Sequence, residues 1–129
     1  MAAFQDLPQS FRDERTELEQ AGIEDWNRLR GLSDAELSRL ARSGRASPRN
    51  LKRLRAIAAL VCDLQLPAPD AALLMHAGIS SSAALAASTP ERVVQQTGRL
   101  ERSLGTGRPA VVDLFTARTW IQRARQLRN

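Results

Sequence analysis

Ala21-Gly22-Ile23 recurs 56 residues later as Ala77-Gly78-Ile79, and this pair of tripeptides is the first sign of an internal repeat. Further matches follow in the same order at or near that offset: Leu18 with Leu74, Leu29 with Leu85, Ser33 with Thr89, Leu37 with Val93, Gly44-Arg45 with Gly98-Arg99, and Pro48-x-x-Leu51-x-x-Leu54 with Pro109-x-x-Val112-x-x-Phe115. An ordered series of matches indicates an internal duplication. We therefore expect one domain over residues 1–129, in which a first unit at 12–64 and a second at 69–128 share a core.

The local signals in both units are those of helices. Gly22 ends the first helix, because glycine adopts the left-handed conformation that a helix end requires. Ser33 and Glu36 form a capping box, and Ser47-Pro48 opens the longest helix, with proline where a missing N–H costs nothing. The period-two patterns of strands do not occur, so the predicted class is all-α. The predicted helices run from Ser10 to Ala21, over 34–43, from Ser47 onward, over 70–77, near 80–87, over 90–97 and over 109–127.

Apolar residues at helical spacing predict the shared core. In the longest helix they form a stripe of Leu51, Leu54, Ala58 and Val61, and the basic residues of this helix lie mostly off that stripe. From the two units together we expect burial of Leu18, Leu29, Leu37, Leu54, Val61, Leu74, Leu85, Val93 and Phe115.

Composition excludes several classes of protein. Hydrophobic residues make up 43% and charged residues 26% of the chain, the balance of a globular protein rather than a disordered one. The single cysteine, Cys62, cannot form an internal disulfide, and together with the single histidine, His76, it cannot build a structural zinc site. No apolar stretch reaches the roughly 20 residues of a membrane span, and the acidic N-terminal region is unlike a signal peptide. We expect a cytoplasmic protein without a metal or cofactor.

Charge is distributed in alternating blocks along the chain. The formal net charge is +5, and its basic part consists of arginines and one lysine, Lys52. Residues 1–25 sum to −5, residues 26–62 to +7, residues 63–97 to −2 and residues 98–129 to +5. Such asymmetry favours a polarised face that meets a polyanion or an acidic protein.

The chain resembles a known family over roughly residues 14–128, which include both Ala21-Gly22-Ile23 and Ala77-Gly78-Ile79. The residues that carry the resemblance are the run from Ala71 to Ile79, Leu85-Ala86, Pro90, Gly98-Arg99-Leu100 and Trp120-Ile121-x-x-Ala124-Arg125. They resemble an uncharacterised domain-of-unknown-function family of small helical proteins that is common in cyanobacteria. The resemblance implies two tandem helix–hairpin–helix-like units packed into one compact helical domain. By analogy of fold alone, it also implies a tendency to bind nucleic acid.

A helix–hairpin–helix binds a phosphate through amides at the start of its second helix, where glycine permits close approach. The best match is Leu104-Gly105-Thr106-Gly107-Arg108-Pro109, near Arg99 and Arg102. Thr106 replaces the usual apolar residue, Pro109 removes an amide, and the first unit has only Gly44 at this place. The candidate phosphate-binding residues here are Arg99, Arg102, Gly105, Gly107 and Arg108, and the alternative is a plain interhelical loop.

A second candidate is the basic start of the longest helix, which carries Arg49, Lys52, Arg53 and Arg55, with Arg45 just before it. Spacings of three and four place Arg45, Arg49, Lys52 and Arg53 on one side of a helix start, where they can contact phosphates regardless of base sequence. The alternative is a solvated face paired with the acidic segment 14–25 of the same chain.

The remaining polar and aromatic residues predict no catalytic chemistry. Trp26, Trp120, His76 and Cys62 are expected to pack in or beside the core. Glu14, Glu17 and Glu24-Asp25 are expected to lie exposed, with no pocket to separate their pKa values, and no nucleophile-elbow, P-loop or dinucleotide motif occurs. We therefore expect no enzyme and no small-molecule substrate.

Two functions remain open. The first is a non-catalytic module that binds duplex DNA without sequence preference. The second is a protein–protein adaptor or assembly factor that docks its basic face on an acidic partner, with the nearly uncharged segment 80–88 as a flat contact surface. A subunit of an enzyme, without an active site of its own, is a third and weaker interpretation.

Overall fold

The structure, a computed structural model, describes residues 11–104 and 112–127, with side chains over 11–98 and 112–127. These residues form eight α-helices and no β-strand, which confirms the all-α prediction. The first four helices are α1 (Arg12–Gln20), α2 (Trp26–Arg30), α3 (Asp34–Leu40) and α4 (Pro48–Leu64). The next four are α5 (Ala68–His76), α6 (Ser82–Ala86), α7 (Pro90–Leu104) and α8 (Leu114–Leu127). A 3₁₀ turn at Ala41–Ser43 prolongs α3.

The repeated tripeptides form matching turns. Helices α1, α2 and α3 begin 56 residues before α5, α6 and α7 respectively, which is the offset of the sequence repeat. Gly22 and Gly78 follow α1 and α5 with φ of +80° and +91°. In each turn the amide of the next isoleucine donates to the carbonyl of the leucine five residues earlier at 2.9 Å. This bond closes a helix end around a left-handed residue, so the glycines stand where their conformation is required.

The helix starts in the two halves of the chain are capped at matching positions. Asp25 before α2 accepts a backbone N–H at 2.8 Å, and Ser81 before α6 accepts one at 3.0 Å. Ser33 and Thr89 cap α3 and α7 in the same way. The capping box of Ser33 with Glu36 is present with both of its bonds. These side chains satisfy free amides at the helix starts and so fix where each helix begins.

Helix α4 lies at the centre of the molecule. It is the longest helix, 17 residues, and it begins with Ser47 as N-cap and Pro48 in the first turn, as predicted. It packs against α2, α3, α5, α6 and α8. Its Leu51, Leu54 and Ala58 are fully buried. The predicted core residues that are buried are Leu18, Leu29, Leu37, Leu54, Leu74, Leu85 and Val93.

The last helix departs from the prediction. It begins at Leu114 rather than at residue 109, because Asp113 accepts the Thr116 N–H at 2.8 Å and caps it there. The later start changes which residues face inward, and α8 buries Ala117, Trp120, Ile121 and Ala124. Phe115 is 76% exposed, so its predicted burial is wrong. Val61 is half-buried beside the core.

Two further differences concern α7 and membrane insertion. Helix α7 continues through Gly98 to Leu104 and does not end at residue 97, so Arg99 and Arg102 belong to a helix. None of the helices in the described ranges has the length and apolar composition needed to cross a membrane.

Candidate polyanion-binding surface

The first turns of α4 carry three of the predicted cationic residues. The side chains of Arg49 and Lys52 are exposed, and that of Arg53 is partly exposed. Arg45 is exposed but lies before the helix, in the bend that follows Gly44. Within the side chains described, none of these four residues takes part in an ion pair. Their charges therefore keep their attraction for an anion from outside.

A buried carboxylate occupies the N-terminus of the same helix. Glu14 of α1 is 3% exposed, and its Oε2 accepts the Ser47 N–H at 2.9 Å while its Oε1 accepts the Asn50 side-chain amide at 3.4 Å. The backbone N–H of Asn50 donates in turn to the Ser47 hydroxyl at 3.3 Å. The predicted exposure of Glu14 is therefore wrong, because the free amides and positive dipole of α4 stabilise a carboxylate there.

This cap decides how an anion can bind at the start of α4. The amides of Ser47 and Asn50 already donate to acceptors within the chain. An outside anion at this end must therefore be held by the side chains of Arg49, Lys52 and Arg53 rather than by these two amides. Glu14 of the acidic segment contacts Ser47 and Asn50 rather than an arginine. The exposure of Arg49 and Lys52 also fits the alternative of a solvated face.

A groove between α2 and α4 brings Arg30, which is not among the residues predicted from the sequence, beside Lys52 and Arg55 of the predicted basic helix. Arg30 of α2 and Lys52 and Arg55 of α4 line it, and Ala56 and Ala59 also line it. Its volume is 420 Å³ and it is open to solvent. Arg30 lies 22 residues from Lys52 in sequence, so only the packing of α2 on α4 brings them together.

Ion pairs fix both arginines of this groove. Arg30 Nη2 lies 2.6 Å from Asp63 Oδ1. Arg55 donates to Asp34 Oδ1 at 2.7 Å and to the Leu32 carbonyl at 3.0 Å. The hydrogen bond and charge of Arg55, with a smaller contribution from the charge of Lys52, hold the pKa of the Asp34 carboxyl below its ordinary value.

The second predicted group of site residues is only partly described. Arg99 and Arg102 lie in α7, and their side chains are outside the described part. Gly105, Gly107 and Arg108 lie outside the described residues altogether. Their placement on one face with Arg49, Lys52 and Arg53 therefore stays a prediction.

The other singled-out residues take part in packing. Trp26 and Trp120 are buried, as expected. The ring of His76 stacks on Phe11 with centroids 6.2 Å apart, and burial, helped by the nearby charge of Arg53, lowers the pKa of His76. Burial raises the pKa of the half-buried Cys62 thiol. Over the described residues no three acidic, histidine or cysteine side chains come together as a metal site.

Comparison with known proteins gives a family and nothing more specific. Residues 8–127 match the family described as Domain of unknown function (DUF4332). The chain belongs to this family. The match covers nearly all of the chain, including the eight helices of the described residues, and agrees with the resemblance found over most of the sequence. No curated protein and no solved structure is significantly similar to this DUF4332 chain.

Proposed function

We propose that this DUF4332 chain is a non-catalytic helical binding module that binds duplex DNA without sequence preference. The observation that carries the proposal is the group of cations Arg49, Lys52 and Arg53 in the first turns of α4, with Arg45 just before the helix; none of them forms an ion pair with a side chain that the structure describes. In this proposal the chain consists of two helix–hairpin–helix-like units, and the second contact is supplied by Arg99, Arg102, Gly105, Gly107 and Arg108.

The energetics favour a polyanion over a single small anion. Exposed single charges contribute little to binding, with a typical magnitude of about 0–1 kcal/mol per pair. A duplex neutralised at several phosphates releases several counterions, and each released counterion adds to the affinity at low salt. Side chains that contact only phosphates carry no information on base sequence, which is why the binding is sequence-independent.

The test is a fluorescence or gel-shift titration of mixed-sequence DNA duplexes at about 50 mM and about 200 mM salt. We expect weak binding at the lower salt that falls steeply at the higher salt and differs little between duplex sequences. The double variant Arg49→Glu with Arg53→Glu should abolish it while circular dichroism shows an unchanged helix content. A matched control is Arg92→Glu with Arg118→Glu, which changes the net charge equally at two exposed residues of α7 and α8. Absence of binding by the wild-type chain at the lower salt rejects the proposal.

The second candidate function is a protein–protein adaptor that docks on an acidic partner. It is favoured by the apolar residues that α8 leaves exposed, Leu114, Phe115 and Leu127. The segment 80–88 supports it less than expected, since α6 buries Leu85 and Ala86 and packs against α8. A pull-down with and without nuclease distinguishes the two functions. A partner retained after nuclease treatment, together with no affinity for duplexes, favours the adaptor.

A further inference from the structure

We propose that the groove between α2 and α4 seats a phosphate group, with the Lys52 ammonium as its main contact and the Arg30 and Arg55 guanidiniums on either side. This inference rests on the proposed function, because it places one phosphate of the bound strand at a defined position. The same chemistry would also take the phosphate of a free nucleotide, and the experiment below separates the two sources.

The electrostatics of the groove support an anionic ligand. Three cationic side chains line it, and the two carboxylates paired with them, Asp34 and Asp63, leave a net charge of +1. Lys52 is the groove cation without an ion pair among the side chains described. Each paired guanidinium still has N–H donors that no described contact uses, since arginine carries five in a fixed fork. The two carboxylates thus hold the guanidinium groups of Arg30 and Arg55 in place without using all of their N–H donors.

The shape of the groove decides which kind of phosphate ligand it fits. Its volume of about 420 Å³ leaves room for a phosphate group beside the three cationic side chains. Ala56 and Ala59 contribute to this room because no longer side chain projects from these positions of α4. The groove is open to solvent rather than enclosed, so it suits a sugar–phosphate strand that lies along it. The exposed Arg49 and the partly exposed Arg53 continue the positive surface on the same helix.

Lys52 is the only lysine of the chain, and this makes the proposal directly measurable. The full chain is acylated with an amine-reactive ester, and the rate of modification of Lys52 is followed by mass spectrometry. The probes are a mixed-sequence DNA duplex, AMP and inorganic phosphate, and a lysine-containing reference peptide in the same tube reports the reactivity of the ester. At a probe concentration ten times its Kd, mass action predicts about tenfold slower labelling of Lys52.

The variant Lys52→Gln gives a second readout. Loss of one phosphate contact should reduce the slope of log affinity against log salt by about one for any duplex. Arg92→Gln is the control that removes an exposed arginine of α7 and should leave the Lys52 labelling pattern unchanged.

The outcomes separate this proposal from the proposed function. Slower labelling with duplex but not with AMP assigns the groove to a strand phosphate. Slower labelling with AMP or inorganic phosphate, without duplex binding, supports the groove as a phosphate site and rejects the proposed function. Duplex binding that leaves both the labelling of Lys52 and the salt slope of Lys52→Gln unchanged overturns the groove proposal alone. Unchanged labelling with every probe overturns it as well.

Discussion

The buried carboxylate of Glu14 stabilises the contact between α1 and the start of α4, and its removal should cost a measurable part of the stability. Glu14→Ala deletes the acceptor of the Ser47 N–H, a 2.9 Å bond, and of the longer bond from Asn50. A hydrogen bond to a charged group contributes about 1.5–3 kcal/mol, and a negative charge at a helix start contributes about 0.3–1 kcal/mol. The longer bond at 3.4 Å adds little. We expect Glu14→Ala to lower the free energy of unfolding by about 2–4 kcal/mol.

A conservative variant separates charge from hydrogen bonding. Glu14→Gln keeps an acceptor oxygen of similar reach and loses the charge, so it should cost about 0.5–2 kcal/mol, less than Glu14→Ala. Glu17→Gln on the same helix is the matched control, because no described bond links its side chain to α4. The measurement is urea denaturation followed by circular dichroism, with the unfolding slope checked for constancy. Equal stability of Glu14→Ala and the wild-type chain would refute the assignment of Glu14 as the cap of α4.

Three other perturbations follow from the packing and the turns. Leu54→Ala, at a fully buried residue, should lower the free energy of unfolding by about 2–5 kcal/mol. Phe115→Ala, on the exposed side of α8, should change it by less than about 0.5 kcal/mol. Similar decreases in the thermal unfolding temperature of the two variants would contradict the assigned orientation of α8. Gly22→Ala and Gly78→Ala each place a Cβ in open space but on a residue with positive φ, so each should lower the free energy of unfolding by about 1–2 kcal/mol. Unequal denaturation midpoints of the two variants would show that the two turns differ. Because burial lowers the pKa of His76 in the folded chain, the unfolded chain binds more protons between that lowered pKa and about pH 6.5. The free energy of unfolding should therefore decrease as the pH falls through this range and be flat above it. His76→Gln should remove this dependence, and NMR titration of the imidazole in Arg53→Gln should show a smaller lowering of its pKa; an unchanged pKa would contradict the contribution of the Arg53 charge.

Features with a local cause could be predicted from the sequence. The glycine turns, the capping box at Ser33 and the start of α4 at Ser47-Pro48 each depend on neighbouring residues only. The sequence repeat then predicts the corresponding turn and helix cap in the second half of the chain, because the same types of residue recur there at a fixed offset.

Features that depend on tertiary contacts could not be predicted in this way. The burial of Glu14 depends on the start of α4, 33 residues away. The groove requires α2 to pack on α4, and no local pattern marks Arg30 as a neighbour of Lys52. The predicted inward face of α8 is wrong because the match of Phe115 to Leu54 takes no account of the helix cap at Asp113. The match of Gly98 to Gly44 predicts a helix that ends at residue 97, but α7 continues through Gly98.

The central position of α4 has a consequence for how the molecule opens. This helix contacts α2 and α3 before it in the sequence and α5, α6 and α8 after it, so neither half keeps its own apolar surface covered if α4 is released. The amides of α4 should therefore exchange with solvent hydrogen only when the whole molecule opens, while the chain ends exchange through small local fluctuations. Although its sequence is duplicated, the protein should unfold as one cooperative unit, because the two halves share the helix that completes the interior of each.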